Sequence, residues 1–185
     1  MVLNLLKQVF NYSSNSPEVV CALSPKNHHL ILDYLPRGEG LSIIRLDNHS
    51  DDSKPCGMSC FAFPCSMYMN DVFSKYAYSN VYWISKNTEF VLSDYKKKTS
   101  FKTLNDILSE TMNATEERVV LDVDPDIVFD YPTTFSKGSM TNEELKYTVN
   151  YILKNKDVQL IFFAAPKEFA QKMLGKKYKS LVETS

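Results

Sequence analysis

Short apolar runs that favour β-structure recur along this chain, and segments with helical periodicity separate them. Five strands are predicted, at Glu18–Leu23, Leu41–Leu46, Val81–Ser85, Arg118–Val123 and Val158–Ala164. A continuously apolar run of this length is typical of a strand in a parallel sheet, because both of its side-chain rows are buried. Glu89–Tyr95 predicts one further strand.

The intervening segments predict helices that cover this sheet. They lie at His28–Leu35, Ser66–Ala77, Ser100–Met112, Asn142–Lys154 and Lys167–Leu174. The fourth has a clear start signal, since Thr141 is followed three residues later by Glu144 and the two can form a capping box. The alternation predicts a three-layer α/β/α fold with a mostly parallel sheet. Its 185 residues fit a single domain, 1–185.

Composition narrows the classes of partner and compartment. The hydrophobic fraction of 44% is that of a globular protein, and 21 basic residues nearly balance 22 acidic ones. This balance gives no electrostatic reason to expect nucleic acid or a membrane surface. No apolar stretch approaches the ~20 residues of a membrane span, and the N-terminus does not resemble a signal peptide. We therefore expect a cytoplasmic protein with reduced cysteines.

Two acidic motifs follow predicted strands directly. Asp47, His49 and Asp51 come after the strand LSIIRL, and Asp122 and Asp124 lie at the end of another. In extended chain, residues two apart share one face, and ligands of open α/β sheets bind at the carboxyl ends of the strands. Carboxylates that converge there repel one another unless a cation neutralises them. Mixed Asp and His ligands suit Mn²⁺, Fe²⁺ or Zn²⁺, so a site for such an ion is predicted.

Other interpretations of the polar residues stay open. The two motifs could be ordinary polar turns, because acidic residues are common at strand ends. Asp52 and Asp126 are interpreted as turn or supporting residues. Cys56, Cys60 and Cys65 have spacings that do not match a paired C-x₂-C zinc site, so buried thiols are expected instead.

The segments Asp47–Asp51 and Asp122–Pro125 resemble the two metal-binding motifs of the arginase, agmatinase and histone-deacetylase-like superfamily. The resemblance is nearest to its small arginase-like branch, which includes peptide arginases that convert arginine side chains of ribosomal precursor peptides to ornithine. That branch carries a further histidine at the start of an upstream helix. Here His28 matches this histidine best, and His29 is the alternative.

The resemblance implies two divalent ions, most naturally Mn²⁺, with Fe²⁺ or Zn²⁺ as alternatives. The implied ligands are His28, Asp47, His49, Asp51, Asp122 and Asp124. Asp47 and Asp122 would bridge the ions; His28 and Asp51 would complete one shell. His49 and Asp124 would complete the other.

The resemblance also implies a reaction. Activated water would attack the guanidinium carbon of an arginine in a peptide, releasing urea and leaving ornithine. Asp51 would help to pass a proton to the leaving amine, and Glu168 would hold the guanidinium. The oligomeric state cannot be read from the sequence.

The chain departs from free-arginine arginases in being much shorter and in the position of its histidines, and the second departure leaves alternatives open. Its histidines are His28, His29 and His49, so none lies downstream of the motif to relay protons. A degenerate member that binds a peptide without turning it over is one alternative. A haloacid-dehalogenase-type phosphatase is another, with Asp122 as nucleophile, Asp124 as acid or base and Mg²⁺ as the ion. A zinc-dependent deacetylase is a third.

Overall fold

A single mixed sheet forms the centre of the molecule. The computed structural model describes residues 17–37, 39–49, 69, 72, 80–94, 97–131, 138–175 and 181–184. The strands are β1 (Glu18–Ala22), β2 (Leu41–Leu46), β3 (Asn80–Lys86), β4 (Phe90–Ser93), β5 (Lys98–Phe101), β6 (Arg118–Val123), β7 (Asp157–Phe163) and β8 (Leu181–Thr184). They pair in the order β5-β4-β3-β2-β6-β7-β1-β8. Among these strands, the β3–β4 and β4–β5 pairs are antiparallel and the other five pairs are parallel, which confirms the predicted α/β class and mostly parallel sheet.

Helices cover both faces of this sheet. The α-helices are α1 (Leu104–Ala114), α2 (Asn142–Asn155) and α3 (Lys167–Leu174). Their buried side chains pack in one hydrophobic cluster with one row of strand residues. The opposite row packs in a second cluster with Ile31 of a 3-10 helix at Pro25–Asp33 and with Met69 and Val72. Each face is therefore covered separately, as a three-layer arrangement requires.

Strand alternation puts two charged residues side by side. In β2, Ile44 and Leu46 belong to the cluster under the α-helices, whereas Ile43 belongs to the other one. Arg45 shares the face of Ile43, because side chains two apart point the same way. Asp122 is paired in register with Arg45 on β6. The two side chains thus lie next to each other under the 3-10 helix.

Two predicted helices differ from the structure at their ends. The helix predicted at Ser100–Met112 starts too early, because Lys98–Phe101 forms β5 and α1 begins only at Leu104. Thr103 fixes that start, since its side chain accepts a hydrogen bond from the amide of Asp106. The helix predicted at His28–Leu35 is a 3-10 helix at Pro25–Asp33, capped by Ser24.

The sequence interpretation also missed two strands. β5 and β8 are four residues each and lie at the two edges of the sheet. The side chains of β5 are mostly exposed, so it lacks the apolar run that revealed the inner strands. The strand predicted at Glu89–Tyr95 is confirmed as β4, and the capping box of α2 is present.

Two further expectations concern segments that are only partly described. Most of the helix predicted at Ser66–Ala77 lies outside the described residues; the two residues of it that the structure describes, Met69 and Val72, are helical and buried. Within the described part of the chain, no helix has both the length and the apolar character of a membrane span.

Candidate metal centre

The two acidic motifs meet because their strands are neighbours. β2 and β6 pair in parallel, so Asp47 and Asp124 follow them at the same edge of the sheet. The backbone continues the pairing beyond the strands, since the amide of Asp124 donates to the carbonyl of Leu46 at 2.9 Å. This edge is the carboxyl end of the parallel strands, where open α/β sheets bind ligands.

One group of donors, here called the inner group, consists of His28, Asp47 and Asp124. His28 is 1% exposed, and its Nδ1 lies 3.1 Å from Asp124 Oδ2 and 3.7 Å from Asp47 Oδ2. Its Nε2 lies 2.6 Å from Oδ1 of Asp122. The imidazole also stacks on Phe162, with ring centroids 6.0 Å apart. The ring is therefore held by the hydrogen bond at Nε2 and by stacking on Phe162, while Nδ1 faces the carboxylates of Asp47 and Asp124.

A second group, here called the outer group, consists of Asp47, His49 and Asp126. His49 Nδ1 lies 2.6 Å from Asp126 Oδ2 and 3.9 Å from Asp47 Oδ1. The backbone amide of His49 donates to the same Asp47 oxygen at 2.6 Å. The His49 side chain is 42% exposed, whereas both carboxylates are buried. The outer group thus faces solvent through its histidine.

Asp47 belongs to both groups and divides its oxygens between them. Oδ2 faces His28, and Oδ1 faces His49. Within each group, one donor atom from every residue lies within 4.8 Å of the others, so each group could hold a metal ion.

A buried guanidinium lies beside the inner group. Arg45 is fully buried, its Nε donates to Asp122 Oδ2 at 3.2 Å, and its Nη2 donates to Asp47 Oδ2. The sequence interpretation did not single it out. A signal existed, because a charged residue inside an otherwise apolar strand, two positions before Asp47, points to the same face as that aspartate.

Asp126 is the other residue that the sequence interpretation undervalued. It accepts a hydrogen bond from the amide of Asn48 at 3.1 Å, and its own amide donates to Asp124 Oδ1 at 2.9 Å. Residue spacing gave a hint, because Asp122, Asp124 and Asp126 repeat every second residue, although Asp126 lies in a short 3-10 helix at Pro125–Ile127 and not in extended chain. Gly138 packs against this turn, where an added Cβ would lie 2.4 Å from the Asp126 carbonyl oxygen.

Burial and charge shift the pKa values at the site. Burial lowers the pKa of His28, but the charge of Asp122 and its hydrogen bond, with further help from Asp124, raise it well above its ordinary value. Burial raises the pKa of Asp124, and the charge of Asp126 adds to this, while His28 acts in the opposite direction. Burial and the Asp124 charge raise the pKa of Tyr131. The carboxylates around His28 therefore favour its protonated form over its neutral form.

The predicted ligands fall into three sets. Four of them take part in the two groups, namely His28, Asp47, His49 and Asp124. Asp122 is in neither group, and its carboxylate contacts His28 and Arg45 instead. Asp51 lies outside the described residues. His29, the alternative to His28, is in neither group.

Glu168 and Cys21 belong to neither donor group, and the other cysteines lie outside the described residues. Glu168 is exposed in the first turn of α3. Burial, together with the charges of Glu183 and Glu168, raises the pKa of Cys21 to about 12, so this thiol stays protonated. Cys56, Cys60 and Cys65 lie outside the described residues, as does Asp52.

Comparisons with known proteins add no family to these observations. No protein-family model matches the chain, and no curated protein sequence matches it either. The arginase-like resemblance therefore stays a prediction, based on the two acidic motifs and the upstream histidine.

Proposed function

We propose that this protein is a metal-dependent hydrolase that converts arginine side chains of a peptide to ornithine and releases urea. In this proposal it binds two divalent ions, with Mn²⁺ as the first candidate and Fe²⁺ or Zn²⁺ as the others. The peptide could be a ribosomal precursor peptide. One observation carries the proposal: the inner and outer groups are adjacent three-residue donor sets that share Asp47.

The chemistry of the donors fits such ions. Each group offers one imidazole nitrogen and two carboxylates, a mixture that suits Mn²⁺, Fe²⁺ and Zn²⁺. Asp47 can serve both ions because its two oxygens face different groups. Four buried carboxylates also meet here, and divalent ions would reduce their mutual repulsion. They are Asp47, Asp122, Asp124 and Asp126.

In this proposal Asp122 orients His28 instead of bridging the ions. Its Oδ1 lies 2.6 Å from His28 Nε2, which can donate its proton to that oxygen. The lone pair of Nδ1 then faces Asp47 and Asp124, where an ion would sit. Histidine ligands are commonly held by a carboxylate in this way, and this fixes both the tautomer and the ring orientation.

The two groups differ in solvent exposure, and we assign them different roles on that basis. The ions, when bound, would supply an activated water at neutral pH. Substrate would approach from the outer group, because His49 is the ligand open to solvent. Asp51 and Glu168 keep their proposed roles, proton transfer to the leaving amine and guanidinium binding.

The phosphatase alternative has weaker support. It needs Asp122 to attack a phosphorus atom, but this carboxylate is 1% exposed. Its two oxygens contact His28 and Arg45, which would compete with an incoming phosphate.

The degenerate peptide-binding alternative and the deacetylase alternative differ from our proposal in the product that they form, so an assay of products separates them.

The first experiment measures metal and product together. Protein from manganese-supplemented expression is analysed for bound metal and then incubated with arginine-containing peptides, followed by detection of ornithine and urea. We expect near two equivalents of manganese and ornithine within the peptide. A peptide with lysine in place of arginine is the matched control.

Variants and other substrates complete this test. Glu168→Gln should raise KM for the arginine peptide more than it lowers kcat, because it removes a charge that binds substrate. Bound metal without ornithine or urea from any arginine peptide would favour the binding protein, and release of acetate from an acetyl-lysine peptide would favour the deacetylase. A wild type that binds no transition metal after reconstitution would contradict the proposal.

A further inference from the structure

Arg45 is an unusual residue for the middle of a sheet. Its side chain is completely buried in β2, a strand whose other residues are also buried. Arginine is seldom fully buried unless its charge is paired, and its guanidinium does not lose its proton in proteins. A permanent positive charge therefore lies within hydrogen-bonding distance of the candidate metal centre.

The contacts of Arg45 bear directly on the inner group. Nη2 donates to Asp47 Oδ2, the same oxygen that faces His28. Nε donates to Asp122 Oδ2 at 3.2 Å, while the other oxygen of Asp122 orients His28. The guanidinium thus contacts one member of the inner group and the residue that positions a second.

We propose that Arg45 is a resident counter-cation of the metal centre, which balances Asp47 and Asp122 without metal and limits how tightly the inner group binds an ion. The inference rests on the proposed metal-binding function. An ion in the inner group would share Asp47 Oδ2 with the guanidinium, so the two positive charges repel across a short buried distance. Because Arg45 stays charged, deprotonation does not relieve this repulsion.

Two consequences follow for the working protein. The site can fold before it is loaded, since the buried carboxylates already have a positive partner. The inner ion is held less tightly than its ligands alone would allow, so occupancy follows the supply of metal.

The test compares manganese affinity in metal-stripped variants, measured by titration calorimetry or competition with a chromophoric chelator. Arg45→Met removes the charge at similar length and should tighten the inner ion by at least ~10-fold. Arg45→Lys keeps a charge and should stay close to the wild type. Arg118→Met is the matched control, because Arg118 is exposed at the opposite end of the neighbouring strand.

A double-variant comparison protects the test against misfolding of Arg45→Met. The first variant is Asp122→Asn, and the second combines Asp122→Asn with Arg45→Met. The double variant loses one buried charge of each sign, so it leaves no additional buried charge without a partner. Tighter manganese binding by the double variant than by Asp122→Asn alone supports the inference. Equal or weaker binding overturns it, as does unchanged or weaker binding by a folded Arg45→Met.

Failure of this inference is distinct from failure of the proposed function. A wild type that binds manganese, together with folded Arg45 variants of unchanged affinity, overturns the counter-cation alone. If Arg45→Met binds manganese and the wild type binds none, the guanidinium takes the place of the ion. That result would support the counter-cation and contradict a metal-dependent hydrolase.

Discussion

The inner and outer groups use the same residue types in very different surroundings. Each has one histidine and two aspartates, and they share Asp47. His28 is 1% exposed and stacks on Phe162, whereas the side chain of His49 is 42% exposed. Because the ligand types match, burial and the neighbouring charge of Arg45 are the described features that distinguish the two positions.

The largest loss of bound metal is expected from a change at Asp47, because this residue belongs to both groups. Asp47→Asn removes the shared carboxylate charge, so both ions should be lost and bound manganese should fall close to zero. The variant should also lose roughly 3–5 kcal/mol of stability without metal, because Arg45 loses one of its charged partners. Elemental analysis and denaturant unfolding measure the two effects.

A carboxylate on the same sheet provides the control for Asp47. Asp157→Asn changes the first residue of β7. This residue is only partly buried and lies at the amino end of the parallel strands, opposite the carboxyl end that carries the site. Its manganese content should equal that of the wild type. Retention of both ions by Asp47→Asn would show that the groups do not share this residue.

Separate histidine variants should divide the two groups. His28→Gln should lose one equivalent of metal and about 2–4 kcal/mol of stability, because it removes the buried hydrogen bond to Asp122 and the buried ion pair with Asp124. His49→Gln should also lose one equivalent of metal. Its loss of stability should be less than ~1 kcal/mol, because the ion pair of His49 with Asp126 is partly solvated. Equal destabilisation by the two substitutions would contradict the distinction between inner and outer groups.

Gly138 allows the outer group to be disturbed without changing a ligand. A methyl group there would lie 2.0 Å from the carbonyl oxygen of Ile127 and 2.4 Å from that of Asp126. Gly138→Ala should therefore displace the turn, cost about 1–3 kcal/mol and weaken the outer ion. The inner ion should be retained. Gly175→Ala is a control for backbone strain without a clash: its φ of 71° strains an alanine, but the added Cβ meets no atom within 4 Å, so this variant should lose stability and keep both ions.

The smallest effect, which is also the most specific to the inner group, is a dependence on pH. The pKa of His28 is raised in the folded protein, so its stabilising effect is complete below its unfolded value of about 6.5. That stability is lost as the pH rises through the folded pKa. The difference in unfolding free energy between metal-free wild type and His28→Gln should therefore shrink as the pH rises. Manganese binding should tighten by up to ~10-fold per pH unit while it displaces a proton from Nδ1.

Much of the architecture was predictable because it depends on local apolar patterns. Inner strands such as β2 and β6 are buried on both faces, so their sequences are mostly apolar, with Arg45 and Asp122 as the buried charged exceptions. Edge strands lack this constraint, and β5 and β8 were missed. The predicted start of α1 was wrong because the segment before Thr103 forms β5. Helical periodicity alone does not show that these residues belong to a strand and not to the helix.

The candidate site was predictable in part for the same reason. Asp47 and Asp124 were expected to meet because both follow buried strands, and pairing of β2 with β6 brings them together. The division of oxygens at Asp47 could not be predicted, because it depends on side-chain directions across two strands. The participation of Asp126 and Arg45 could have been suspected from residue spacing, but their partners depend on tertiary packing.

The separation of the site residues along the chain has a consequence for folding. His28 contacts Asp122, 94 positions away, and Arg45 reaches the same carboxylate across 77 positions. Such contacts require large loops to close first, and no short fragment contains the complete inner group. The nascent chain should therefore capture metal only after β6 has joined the sheet. Metal uptake during refolding would then report that the sheet has formed as far as β6.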